Sequence, residues 1–543
     1  MGIFLNSSIP YESYKEIVKM RFFVDKTLLL DDILDAVELD GQKYLCITRP
    51  RRFGKSVAAY MIGAFFGKAE DSSEVFNTLS ISGSKRYPLY RNKHNVIYID
   101  FSKMPEECNS YKIYIQRISS GLKEDLMNEY PELGLDSKKA VWDIFSSIFE
   151  KIKHKFIFVM DEWDAIFHKD FISASEKKDY LEFLKNLLKG QPYVELAYMT
   201  GVLPIAKYSS GSEINMFMEF DMAKAERFGA FFGFSDSEVD SLFKKYIQTT
   251  KHPKITRKEM QDWYDGYHTA AGNRLYNPRS VVYALTNNQL RNYWTSSGPY
   301  DEIFYYIKNN INDIRDDLML MAAGEGVEAV IQEYAATADE LNTKNQIYSA
   351  MVVYGLLTYK EAAGKVFIPN KELMDQFDQM LMSNESLGYV HSLARESARM
   401  LKATLAADTK TMAEILKFAH DTESPIFSYN SEIELSAVVN LVYLVARDKY
   451  RVEREDKAGE GYVDFIFYPS DKNADAFILE LKIDSTPEDA ICQIKNRNYA
   501  LRFQGKLGEK PKYTGRILAV GISYDKKTKE HACKVEVLKE KIK

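Results

Sequence analysis

Apolar and polar positions alternate in blocks over the first two hundred residues of the chain. Four short apolar runs, Tyr44–Thr48, Asn95–Asp100, Phe156–Met160 and Val194–Thr200, are separated by longer stretches of helical period. Runs of this length, rich in Val, Ile, Phe and Tyr, predict strands buried on both faces. Buried strands alternating with helices predict a parallel sheet, hence an α/β fold. From about Ser235 to Ser424 the pattern is mostly helical, with turn signals such as Tyr276-Asn-Pro278. After Ser424-Pro425 an amphipathic helix leads into two β-rich segments and another helix. The pattern therefore predicts three domains, at residues 1–234, 235–424 and 425–543.

The β-rich segments of the last region carry charge where charge is costly. In Gly461–Tyr468 alternation puts Tyr462, Asp464 and Ile466 on one face. In Ala476–Ile483, Ile478, Glu480 and Lys482 share the face opposite Phe477, Leu479, Leu481 and Ile483. An exposed Glu480–Lys482 pair would contribute at most about 1 kcal/mol. Both residues, however, sit within a strongly apolar strand, where burying charge is expensive. A carboxylate and an amine pointing the same way can bind a divalent metal through Glu480, with Lys482 steadying a nucleophilic water or the charge growing on a phosphate. Glu432 lies in the first turn of a helix striped by Val438, Leu441, Val442 and Val445. Thr486-Pro487 is a helix start signal, and Gln493, Asn496, Arg497 and Ala500 then share a face.

With 543 residues, 45% hydrophobic and 28% charged, the chain has material for several cores. A net charge of -6 excludes a general polycation but not a local basic surface. Cys46, Cys108, Cys492 and Cys533 form no CxxC pair, which argues against a zinc module or disulfide framework. Asn6 occupies the Ser/Thr position of the myristoylation pattern, and no apolar segment is long enough to cross a bilayer. A cytoplasmic protein without a membrane partner is the expectation.

Arg49-Pro-Arg-Arg-Phe-Gly-Lys-Ser56 ends like a phosphate loop, G-x-x-x-x-G-K-[ST], with Arg49 in place of the first glycine. It follows the strand Tyr44–Thr48 and precedes a helix at Val57–Phe66, the context in which backbone N–H groups favour a phosphate. Arg52, Phe53, Gly54, Lys55, Ser56 and Val57 are the candidate nucleotide contacts. Lys55 would reach the β and γ phosphates, and Ser56 would hold Mg²⁺. The strand Phe156–Met160 runs into Asp161-Glu162, so Asp161 would order Mg²⁺ through water and Glu162 would polarise the attacking water. Thr200, at the next strand tip, would sense the γ-phosphate, although strand capping explains it equally well. Gly-Lys-Ser alone occurs often by chance; together with the acidic strand end it points to a bound nucleotide, which the resemblance given below makes ATP. No arginine finger can be selected from sequence, and Arg227 and Arg279 are candidates only.

Over nearly its whole length the chain resembles a bacterial family of AAA-like ATPases with a C-terminal PD-(D/E)XK nuclease-like domain. The carriers are Phe23–Thr27, Arg49–Ser56, Asp161-Glu162, Thr200–Pro204, Trp263–Tyr267 and Tyr276–Ser280, then Tyr429–Glu432, Ala458–Asp464, Leu479–Lys482 and Ala490–Tyr499. The resemblance implies an N-terminal P-loop parallel-sheet domain, a helical middle region and a restriction-endonuclease-like tail. It also makes the missing loop glycine a family trait. In the tail it implies that Glu432, Asp464, Glu480, Lys482 and Gln493 surround Mg²⁺, with Asp464 and Glu480 as its ligands, and that nucleic acid is the substrate. Ring assembly, hence a homo-oligomer, is a further implication.

Two functions follow from these residues. One is an ATPase coupled to a Mg²⁺-dependent nuclease acting on DNA or RNA. The other is a nucleotide-gated switch whose tail grips a partner without cleaving it, which the acidic net charge favours. A purely structural role for the tail acids is the third possibility.

Overall fold

The computed structural model describes residues 2–541 apart from 106–107, 170, 206–213, 295–310, 332–340, 342, 384, 422–431, 459–460 and 504–512. The four apolar runs all form strands: β1 (Tyr44–Thr48), β2 (Asn95–Asp100), β3 (Phe156–Asp161) and β4 (Val194–Gly201), joined at the edge by a short β5 (Met218–Phe220). The order is β2-β3-β4-β1-β5, and all four pairings are parallel. Both faces are buried. Ile97, Ile99, Phe156, Phe158 and Met160 enter one core cluster, while Val96, Tyr98, Ile157 and Val159 enter another with helix α1 (Lys55–Phe66). This two-sided burial is why the strands read as unbroken apolar runs.

The chain packs as two units, Met1–Ile303 with Glu328–Leu373, and Phe304–Val327 with Met374–Lys543. The helical stretch that follows Ser235 contributes to both. In the first unit, Ser235 and Glu238 form a capping box that starts the helix Asp236–Thr249. Tyr246, Tyr264, Tyr276 and Val281 close a small core there with Phe22 and Phe234. This stretch also holds a two-stranded pairing, Tyr267–His268 with Arg274–Leu275, that the helical pattern does not predict.

The second unit centres on a mixed sheet, β6 (Tyr450–Ala458), β7 (Gly461–Pro469), β8 (Ala476–Ile483), β9 (Ile517–Asp525) and β10 (Glu530–Lys539), in sequential order. β8 and β9 are parallel and the other pairs antiparallel. The helical part of this unit includes α2 (Glu432–Val442), and helix α3 (Pro487–Asn496) connects the parallel pair, started by a Thr486–Asp489 capping box. On one sheet face Ile466 and Ile478 pack with Ile491 and Ile494 of α3; on the other Phe467 stacks on Phe477 beside Tyr443. β6, β9 and β10 go beyond the β-rich segments predicted from the sequence. β6 is charged along much of its length, so its strand character comes from pairing rather than pattern.

Candidate functional site

In the first unit the strand order brings distant residues to one edge. β4 lies between β1 and β3, so the carboxyl ends of three parallel strands deliver the phosphate-type loop, Thr200 and Asp161-Glu162 side by side. Between β1 and α1 the loop turns through two left-handed residues, Arg52 (φ 72°) and Gly54 (φ 91°). Glycine adopts that conformation freely; arginine does so at a cost. The Lys55 ammonium is buried and donates to the carbonyls of Arg49 and Pro50, both at 3.0 Å. Burial lowers its pKa, opposed by Glu162, Asp164 and Asp161. Phe53 packs edge-on against Tyr267 and Val57 against the sheet core, which leaves their backbone N–H groups as the parts that can meet a ligand.

Arg49 shows what replaces the missing glycine. Its side chain is fully buried, donating to the carbonyls of Thr48 (2.8 Å) and Phe220 on β5 (2.6 Å), with the guanidinium over Phe232. The residue thus ties the start of the loop to the edge strand.

Asp161 is buried, and this pushes its carboxyl up to about 7, against a hydrogen bond from Ser56 that holds it down. Glu162 takes a left-handed φ of 53°, and its pKa is raised by burial, with Lys55 opposing. Thr200 is buried, and its Oγ1 has no hydrogen-bond partner among the described residues. The donor set fits a hydrated divalent cation: a hydroxyl and a carboxylate already in contact, the carboxyl held up by burial. Asp164 was not singled out by sequence. Its carboxylate accepts from the N–H groups of Val202 (2.8 Å) and Leu203 (2.7 Å), fixing the chain as it leaves β4. Its signal was its place three residues after Asp161. Of the arginine candidates, Arg227 is paired with Asp40 at 2.6 Å, and Arg279 lies over Tyr283 and close enough to Arg52 to repel it.

In the second unit Phe465 pairs with Leu479, so Asp464 and Glu480 stand opposite each other across β7 and β8. They share the face covered by α3. Asp464 Oδ2 accepts from the Leu481 N–H at 2.7 Å. Lys482 Nζ lies 3.4 Å from Glu480 Oε1, and the Gln493 amide donates to the same oxygen. Glu480 Oε2 is buried and has no hydrogen-bond partner among the described residues. Burial, then repulsion from Asp464, pushes the Glu480 carboxyl up to about 7, with Lys482 opposing. An orphaned carboxylate oxygen beside a second acid fits a divalent cation. Among the described residues no group of three or more His, Cys, Asp or Glu gathers as a metal site. Glu432 is the first residue of α2, but its side chain, like residues 429–431 of its motif, lies outside what the structure describes. The structure thus brings together Asp464, Glu480, Lys482 and Gln493 in one place, and Lys55, Ser56, Asp161 and Glu162 in another, with Thr200 at the same sheet edge.

No helix among the described residues is long and apolar enough to cross a membrane. Comparison with known proteins finds two family matches, a predicted AAA-ATPase at residues 8–210 and the PD-(D/E)XK nuclease superfamily at residues 436–532. No curated protein matches. Among solved structures, the Walker-type ATPase paby2304 of Pyrococcus abyssi is similar at 12% identity and a TM-score of 0.35, covering 65% of this chain and 94% of that one. The Aeropyrum pernix ORC2 protein in its ADPNP–ADP complexes is similar at 10% identity and a TM-score of 0.29, covering 66% and 94%. The chain thus carries an AAA-ATPase-like domain and, C-terminal to it, a PD-(D/E)XK nuclease-superfamily domain.

Proposed function

We propose that the first unit binds and hydrolyses ATP on the Arg49–Val57 loop and that the second cleaves nucleic acid with Mg²⁺, the nucleotide state controlling access to the cleaving site. The observation that carries the reading is that each unit gathers a lysine and acids from segments distant in the chain, with burial pushing both Asp161 and Glu480 up to about 7. Evolution seldom leaves such acids buried without a task.

In the ATP site Lys55 exchanges its two loop carbonyls for phosphate oxygens, Ser56 and Asp161 hold the hydrated Mg²⁺, Glu162 orients the attacking water, and Thr200 offers its buried hydroxyl to the γ-phosphate. In the tail, Asp464 and Glu480 hold Mg²⁺, which supplies Lewis acidity at the scissile phosphate. Lys482 steadies the attacking water or the charge developing on phosphate oxygen, and Gln493 keeps Glu480 oriented. Glu432 completes the acid set, and nucleic acid, DNA or RNA, is the partner.

The test uses the purified full chain with ATP, Mg²⁺ and single-stranded or duplex DNA and RNA. Phosphate release should disappear in Lys55→Ala and Glu162→Gln, and strand scission in Asp464→Ala and Lys482→Ala. Scission that survives both tail substitutions rejects the nuclease assignment, and ATP turnover that survives Lys55→Ala rejects the other.

A further inference from the structure

Glu372 lies far along the chain from the nucleotide loop and has no part in the chemistry above. It occupies the first turn of the helix Lys371–Ser383 and is fully buried. Its carboxylate gathers donors from two other segments. Ser280 Oγ donates to both oxygens, at 3.0 and 2.8 Å, and the N–H groups of Tyr293 (2.6 Å) and Trp294 (2.9 Å) donate to Oε1. Asn292 Nδ2 donates to the Glu372 carbonyl at 2.9 Å, and its Oδ1 accepts from Trp294 at 3.1 Å. The 292–294 turn is therefore pinned at three successive residues. Ser280 is itself set by Asn277, whose side chain caps the helix Pro278–Asn287. This gives the Tyr276-Asn-Pro-Arg-Ser280 motif a physical task.

What the pinned turn presents is the Tyr293 carbonyl, which accepts from Arg52 at 2.7 Å. Arg52 is the left-handed residue of the loop, two before the left-handed Gly54. A non-glycine residue holds such a conformation only where its surroundings over-determine it. Here they do so through the Tyr293 carbonyl on the Arg52 side chain and through Phe53, whose carbonyl accepts from Gly233 at 3.2 Å. Released from Tyr293, Arg52 can relax toward ordinary backbone angles. That movement would turn the loop N–H groups away from where a phosphate must sit.

We infer that Glu372 is a positioning residue for the nucleotide site, holding the phosphate loop in its binding shape through Tyr293 and Arg52. The inference rests on the nucleotide-binding reading above. Mg²⁺–ATP titrated calorimetrically into the full chain tests it. Glu372→Ala should weaken binding about tenfold, the effect of losing one effective hydrogen bond's worth of loop order. Glu372→Gln should restore most of the affinity, because its carbonyl oxygen can accept from Tyr293 and Trp294 while its amide donates to Ser280. The double variant Arg52→Ala, Glu372→Ala should bind no worse than Arg52→Ala alone, since both changes cut one path. Losses that multiply, or a folded Glu372→Ala that binds like wild type, overturn the inference. If circular dichroism shows that Glu372→Ala does not fold, Ser280→Ala replaces it. That variant should lose affinity a few-fold in the wild-type background and none in Arg52→Ala, and equal losses in both overturn the inference. Wild-type chain that takes up no ATP overturns the nucleotide reading itself, and the inference with it.

Discussion

Asp161 offers a prediction in which stability and function move in opposite directions. Its carboxyl is pushed from 3.8 to about 7 in the folded chain, chiefly by burial. A raised acid pKa means that folding opposes ionisation. The native state is unpenalised below pH 4, loses stability as pH rises, and carries the full penalty above pH 7. At about 1.4 kcal/mol for each tenfold change, the shift corresponds to at most about 4 kcal/mol at pH 8, of which about half survives relaxation of the surroundings. Asp161→Asn keeps an oxygen for the Glu162 N–H, now at 3.1 Å, and cannot ionise. In the absence of nucleotide and Mg²⁺ the variant should resist urea better than wild type by about 2 kcal/mol at pH 8, and by little near pH 4. Saturating Mg²⁺–ATP should close the gap, because the cation neutralises Asp161 in wild type alone. Paired urea titrations at the two pH values, with and without Mg²⁺–ATP, measure each term. A variant no more stable than wild type at pH 8, or equally stabilised at both pH values, would refute the reasoning.

Three further outcomes can be checked directly. Gly266→Ala should destabilise the first unit by several kcal/mol, because Gly266 has φ 117° and an added Cβ would lie 1.8 Å from the Pro369 carbonyl oxygen; a lowered urea midpoint with unchanged slope is the signature. Asp125→Ala should release the amino terminus, since one carboxylate accepts from the N–H groups of Ile3 (3.0 Å), Phe4 (2.7 Å) and Leu5 (3.0 Å); limited proteolysis should then cut near residue 5 first. Thr486→Ala removes the cap of α3 and should cost the second unit about 1 kcal/mol in urea, with Ser at the same position restoring it.

The sequence by itself determined the elements whose environment is uniform along their length. Phe156-Ile-Phe-Val-Met160 is buried on both faces, so every residue had to be apolar and the strand was legible. Glu480 and Lys482 were conspicuous for the converse reason, charge inside such a strand. Thr486-Pro487 announced α3 because capping is a local transaction between neighbours. The tertiary structure alone decided what depends on partners far along the chain. β6 owes its strand to β7, which its own charged residues do not reveal. Arg49 faces inward because β5 offers it the Phe220 carbonyl, and Glu372 matters because Ser280 and Tyr293 meet it. Local propensity and periodicity are written into neighbouring residues, whereas hydrogen bonds between distant segments exist only once packing has excluded water from around them.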